Sequence, residues 1–128
     1  MCASFTWRGA CKGTLHVGTD CSGLEAPLLA LRRLAVPYRH RFASEISSCA
    51  RRVLLANFAP DYLYHDVTRR SVRRVPEVDL YIAGFPCQPF SSSGLKGCLL
   101  AFEGRGTIFR EFVAYIKLPR PRSFLLEN

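Results

Sequence analysis

The chain has 128 residues, enough for one domain with a sizeable core, and its apolar content of 48% excludes an intrinsically disordered chain. No apolar run approaches the ~18 residues that a membrane span needs. The formal net charge is +8, and 15 of the 18 cationic residues are arginines, whose flat fork suits phosphates and base edges; the balance leans towards a nucleic-acid partner, with a solvated basic face as the alternative.

The six cysteines stand at positions 2, 11, 21, 49, 87 and 98 with no C-x-x-C pair and no zinc-ribbon spacing. The first 13 residues lack a signal-peptide core. Reduced thiols, no metal, no membrane and an intracellular location are therefore expected: the nucleus in a eukaryote, the cytoplasm or nucleoid in a bacterium.

Residues 1–14 hold no acid and no clear period, and read as a lead-in of little structure before a domain at 15–128. Residues 15–19 (LHVGT) form a short strand that ends in Asp20-Cys21-Ser22-Gly23. Leu24, Leu28, Leu31 and Leu34 then recur at helical spacing. A turn of this kind presents free backbone N–H groups and a helix N-terminus at a strand's end, where a doubly wound fold binds its cofactor, and Gly23 lets the backbone approach closely. Ser22 and Glu25 have capping-box spacing while Pro27 favours the first helical turn, which leaves the helix start open.

Residues 40–43 (HRFA) read as a second strand, followed by a helix over 47–58 with Cys49, Val53 and Leu54 on one face. Glu45, just past the strand's carboxyl end, suits either the ribose hydroxyls of a nucleotide or the cap of the next helix. A third strand at 62–64 runs into His65-Asp66-Val67, and the RRSVRR segment at 69–74 reads as a solvated loop, with phosphate contact as the alternative.

The run 78–83 (VDLYIA) has the β-branched content of a buried strand and empties into a Gly/Pro/Ser loop. Phe85 and Gln88 each precede a proline, so both are pushed out of the α region and Cys87 sits on a stiff, extended segment. A thiol at that position is either a nucleophile in the crevice of an open α/β sheet or a buried structural cysteine. Residues 91–104 read as a polar, mobile segment. A core-facing helix over 105–118 carries Ile108, Phe112 and Ile116, and Pro119 and Pro121 stop it. A last strand at 123–126 (SFLL) ends in Glu127-Asn128.

GFPCQPFS at 84–91, preceded by its apolar strand, resembles the catalytic loop of the C5-cytosine DNA methyltransferases, and GRGTIF at 104–109 resembles that family's next motif. The resemblance implies a Rossmann-like, S-adenosylmethionine-dependent methyltransferase sheet with helices on both faces, incomplete here, and a duplex DNA partner whose cytosine is flipped out. It assigns the cofactor to Cys21, Ser22, Gly23 and Leu24, with Glu45 on the ribose, Ile46 beside the adenine, Asp66 accepting from its amino group, and Val67 adjoining. It makes Cys87 the nucleophile at cytosine C6 and Glu127 the acid at N3. Pro86 shapes the loop, and Gln88 fills the space left by the flipped base. The glycine-turn motif departs at three positions: Thr19 stands for an acid, Cys21 for an aromatic and Glu25 for a glycine. No segment resembles the family's later arginine motif or target-recognition domain, so an amino-terminal part of a catalytic domain is expected. Three alternatives stand beside this reading. A transfer RNA cytosine methyltransferase shares most motifs, but Phe85 favours DNA over RNA. A cysteine hydrolase would pair Cys87 with His16, His40 or His65. A non-catalytic basic module would bind nucleic acid without the cofactor.

Overall fold

The computed structural model describes residues 13–84 and 106–127. Residues 1–12 of the expected lead-in, the Pro86-Cys87-Gln88 loop, the segment 91–104 and Asn128 lie outside the described residues. Five strands alternate with three helices: β1 (Leu15–Asp20), α1 (Ala26–Arg33), β2 (Tyr38–Ser44), α2 (Ser48–Asn57), β3 (Tyr62–Tyr64), β4 (Leu80–Gly84), α3 (Gly106–Lys117) and β5 (Ser123–Glu127). Single turns of 3-10 helix at Val67–Arg69 and Val72–Arg74 fill the connection from β3 to β4.

All strand pairs are parallel and the order is β3-β2-β1-β4-β5, so the chain reverses its direction of travel between β1 and β4. Parallel sheets need both faces covered, and the alternation along β4 provides for it. Leu80 and Ile82 join Val17, Leu28 and Leu31 on the α1 side. Tyr81 and Ala83 join Phe42, Phe112 and Tyr115 on the α3 side. This is the α/β arrangement with helices on both faces that the resemblance implies.

The register slips between Val17 and Gly18: Val17 pairs with His40 and Gly18 with Phe42, so Arg41 is the extra residue of a bulge in β2. A one-residue slip transfers the following side chains to the other face. It is why His40 meets the α1 side and Phe42, two residues on, meets the α3 side. A Cβ at Gly18 would lie 2.2 Å from the Phe42 ring, so only glycine admits that ring against β1.

The leucine spacing overstates α1. The helix starts at Ala26 with Pro27 in its first turn, and its N-cap is Glu25, left-handed at φ 58° with no side-chain cap. The capping-box spacing of Ser22 and Glu25 is thus not used. Leu24 lies outside the helix and is exposed, as is Leu34 at its C-cap, which leaves Leu28 and Leu31 to face the sheet. In α2 the expected apolar face narrows to Leu54, since Cys49 and Val53 are exposed. The largest departure is the RRSVRR segment. It is not a solvated loop throughout, because the Arg70 side chain is buried beneath the ends of β1 and β2.

Candidate active site

At the carboxyl end of β1, successive residues Thr19 and Asp20 face opposite sides of the sheet, and each anchors a buried polar cluster. On the α3 side Arg70 grips Asp20 with both terminal nitrogens, donating to Oδ1 at 2.5 Å and also to Oδ2, and donates to Ser44 Oγ at 2.6 Å. The Tyr81 hydroxyl donates to Asp20 Oδ2 at 2.5 Å. The Arg70 guanidinium also lies over three aromatic rings, 5.2 Å from Phe42, 5.4 Å from Tyr64 and 5.8 Å from Tyr115. Burial and the Asp20 charge push the Tyr81 hydroxyl far above its ordinary value, so it remains a donor. One arginine therefore ties the ends of β1 and β2 to the segment after β3.

On the α1 side the Thr19 hydroxyl donates to Glu25 Oε1 at 2.7 Å, and it lies 3.1 Å from His40 Nε2 and 2.9 Å from Ser22 Oγ. Burial pushes the Glu25 carboxyl up to about 7, a rise moderated by the Thr19 and Ser22 hydroxyls, and drives the His40 imidazole down to about 4. His40 is thus neutral near pH 7 and engaged within the sheet.

Between these clusters the chain turns sharply. Cys21, Gly23 and Glu25 all take left-handed backbone, at φ 52°, 52° and 58°. Alternating left-handed residues are what the family's glycine-rich turn permits, and glycine pays no Cβ penalty at such positions. Here one of the three is glycine. Glu45 braces this turn, with Oε2 accepting from the Gly23 N–H at 2.8 Å and Oε1 from the Ser47 N–H at 2.7 Å. Of the two open readings for Glu45, the contact with the start of α2 is therefore present, and the same residue lines a cleft.

That cleft opens at the switch point between β1 and β4 and has two lobes that share Cys21, Gly84 and Glu127. The first lobe, of about 350 Å³, is completed by Ser44, Glu45, Ile46, Asp66, Val67 and Ile108. The second, of about 290 Å³, is bounded by Thr19, Asp20, Ser22, Leu24, Glu25 and the start of α1, with Ile82 and Leu125. Ligands of open α/β sheets bind in such a crevice, outside the carboxyl ends of the strands. Of the candidate site residues within the described part of the chain, Cys21, Glu45, Ile46, Asp66, Val67 and Glu127 line the first lobe, and Ser22 and Leu24 line the second. Gly23 does not line either lobe; its N–H is held by Glu45.

Asp66 caps the following 3-10 turn, its Oδ1 accepting from the Thr68 N–H at 2.8 Å and the Thr68 hydroxyl at 2.7 Å, which holds its carboxyl below the usual range. Desolvation pushes the Cys21 thiol up to about 12, so it is a neutral wall of the cleft. A Cβ added to Gly84 would lie 3.3 Å from Glu127 Oε2, which puts this carboxylate at the end of β4, where the chain leaves for Cys87. Among the described residues that line the two lobes, five are acidic (Asp20, Glu25, Glu45, Asp66 and Glu127) and none is lysine or arginine, in a chain whose net charge is +8. Sequence reasoning missed Arg70 and the burial of Glu25. The displaced acid and glycine of the turn motif were the available signal for Glu25, and nothing local marked Arg70.

The parallel order and the switch-point cleft define a Rossmann-like α/β fold. The same architecture is found in the crystal structure of S. pombe Dnmt2 methyltransferase, with a TM-score of 0.65 over 88% of this chain and 35% of that one, at 20% identity. The family relationship comes from sequence. The model of the C-5 cytosine-specific DNA methylase family matches residues 21–128, and the chain belongs to this family. Among curated proteins it is 38% identical over 100 residues to Type II methyltransferase M.NlaIV of Neisseria lactamica (77% of this chain, 23% of the relative). It is 43% identical over 88 residues to Type II methyltransferase M1.ScrFI of Lactococcus lactis subsp. cremoris (68% and 22%). It is 35% identical over 119 residues to Orphan methyltransferase M.SPRI of Bacillus phage SPR (91% and 26%). The chain thus spans about a quarter of the length of the curated relatives it matches.

Proposed function

We propose that this chain carries the cofactor site and the nucleophile of a DNA (cytosine-5-)-methyltransferase, with S-adenosylmethionine as methyl donor and a flipped-out cytosine in duplex DNA as acceptor. The observation that carries the reading is the acidic, two-lobed cleft at the switch point. S-adenosylmethionine supplies an electrophilic methyl on a sulfonium cation, and a cleft whose described lining carries carboxylates and no lysine or arginine favours a cationic ligand over a phosphate. The first lobe suits the nucleoside: Glu45 can accept from ribose hydroxyls through the lone pairs its two backbone contacts leave, Ile46 offers an apolar surface to the adenine, and Asp66 can accept from its amino group. The second lobe, smaller and bounded by the glycine turn, suits the amino-acid end.

The chemistry asks for a thiolate and an acid together. Adding the Cys87 thiolate to cytosine C6 pushes charge onto the ring, and Glu127 relieves it by holding a proton at N3. C5 then becomes nucleophilic and takes the methyl group, after which loss of the C5 proton expels Cys87. The Glu127 carboxylate lies beside Gly84 at the end of β4, and Gly84 is three residues before Cys87 in sequence, which supports their joint action. Pro86 stiffens the approach and Gln88 occupies the place of the extruded base. The basic, arginine-rich remainder of the chain suits the DNA backbone.

Equilibrium binding of S-adenosylmethionine to the 128-residue chain tests the cofactor site. Micromolar binding that falls at least 10-fold in Asp66→Ala and Glu45→Ala is expected; no binding by the folded chain overturns the reading. Duplex DNA carrying 5-fluorocytosine tests the chemistry. A covalent adduct at Cys87 that Cys87→Ser abolishes is expected, and cofactor binding without any adduct would show that this chain does not transfer methyl by itself.

A further inference from the structure

The acids of the cleft differ in what already holds them. Asp20 is gripped by Arg70 and Tyr81, Glu45 receives two backbone N–H groups, and Asp66 receives two donors from Thr68. Glu25 is different. Its side chain is 0% exposed and lines the second lobe, its Oε1 is held by Thr19, and its Oε2 is buried with no hydrogen-bond partner among the described residues. An unsatisfied buried oxygen is destabilising, and so is a non-glycine residue in left-handed backbone. Glycine at position 25 would remove both penalties. Strain and an orphan polar atom at one residue of a binding cleft point to a ligand that completes it.

We propose that Glu25 is a cofactor-binding residue of this chain, its Oε2 accepting a hydrogen bond from the α-ammonium group at the amino-acid end of the ligand. The inference rests on reading the cleft as an S-adenosylmethionine site. An ammonium offers three donors and a full positive charge, and it meets in the second lobe an acceptor whose other oxygen is already fixed at 2.7 Å by Thr19. No lysine or arginine among the described lining residues competes for that acceptor. The groups facing Glu25 are Thr19 and Asp20 from β1, Ser22 from the turn, His40 from β2 and Glu45 beyond it. His40 is neutral and Asp20 is neutralised by Arg70, so an arriving ammonium is the cation that favours the ionised carboxylate.

Two probes separate this role from the cleft as a whole. S-adenosylhomocysteine carries the ammonium; 5′-methylthioadenosine keeps the nucleoside and thioether but lacks the amino-acid end. Binding of both to the 128-residue chain, measured by isothermal titration calorimetry, should show that Glu25→Gln weakens S-adenosylhomocysteine roughly 10- to 100-fold while changing 5′-methylthioadenosine less than twofold. Glu25→Gly relieves the left-handed backbone, guards against loss of folding and should give the same selective loss. If both variants bind S-adenosylhomocysteine as the unmodified chain does, or lose both ligands equally, the role of Glu25 is overturned while the cofactor reading stands. If the unmodified chain binds neither ligand, the cofactor reading fails and this proposal falls with it.

Discussion

Thr19 and Asp20 show how much one peptide step can separate. Each is buried, and each meets its own cluster on its own face of the sheet. In the Thr19 cluster, Glu25 and His40 have opposite titration effects. With its folded pKa raised to about 7, Glu25 keeps a proton that the unfolded chain loses near 4.5, so it lowers stability as pH rises through that window. His40, lowered to about 4, excludes a proton that the unfolded chain takes up below 6.5, so it raises stability with pH over nearly the same range. The two slopes cancel between about pH 4.5 and 6.5. Glu25→Gln should unmask the histidine, giving stability that climbs by roughly 1 kcal/mol per pH unit across that range in urea denaturation, where the unmodified chain is nearly flat. The Asp20 cluster should respond to truncation instead. Arg70→Met leaves a buried carboxylate without its partner and is expected to cost about 3–5 kcal/mol, with Arg70→Lys intermediate because a lysine lacks the two-pronged geometry. Chemical denaturation of the three proteins checks the order. At this scale the sequence was partly legible. Glu45, Asp66 and Glu127 lie at or just beyond strand ends, so a positional rule finds them. Arg70 escaped because its partners Asp20 and Ser44 are 50 and 26 residues away, and a run of four arginines around Ser71 and Val72 has the look of a solvated segment.

Whole elements were legible where one periodicity governed them, and were blurred where a backbone irregularity intervened. β4 alternates cleanly between two apolar cores, while β2 carries a bulge that no alternation pattern reveals. The helical leucine spacing extends across Leu24 and Leu34, yet left-handed Glu25 and Pro27 confine the helix between them. Two glycines of these elements should fail differently when replaced. Gly18→Ala drives a methyl to 2.2 Å from the Phe42 ring, an overpacking cost of about 1–3 kcal/mol or more. Because the clash is with one side chain, Phe42→Leu should recover part of it, and a double-mutant cycle is expected to show coupling above about 1 kcal/mol. Gly23→Ala meets no atom within 4 Å but must adopt φ 52°, at about 1–2 kcal/mol, and Phe42→Leu should leave that cost unchanged. Equal coupling in both cycles would mean that sterics do not distinguish the two sites.

Across the described residues, the sheet ends in the edge strands β3 and β5. Among the described residues β5 pairs only with β4, and its neighbouring residues Phe124 and Leu125, which face opposite sides of the strand, are 54% and 55% exposed. A parallel strand is ordinarily covered on both faces, and an uncovered apolar edge is a template for pairing with another chain. The missing cover agrees with a chain that spans about a quarter of its relatives' length. The exposure of β5 was not legible in sequence, since SFLL has the composition of a buried strand. The 128-residue chain studied alone is therefore expected to associate in a concentration-dependent way through β5. Phe124 lines neither lobe of the cleft, so Phe124→Lys adds a charge to the edge without touching the cofactor site. Sedimentation velocity should show the unmodified chain growing in mass with concentration and Phe124→Lys remaining monomeric, with both binding S-adenosylhomocysteine equally. Association undiminished in Phe124→Lys would place the contact elsewhere on the surface. A monomeric variant that also lost the ligand would mean that β5 and the cleft unfold together, making the strand a structural wall of the site rather than an independent edge.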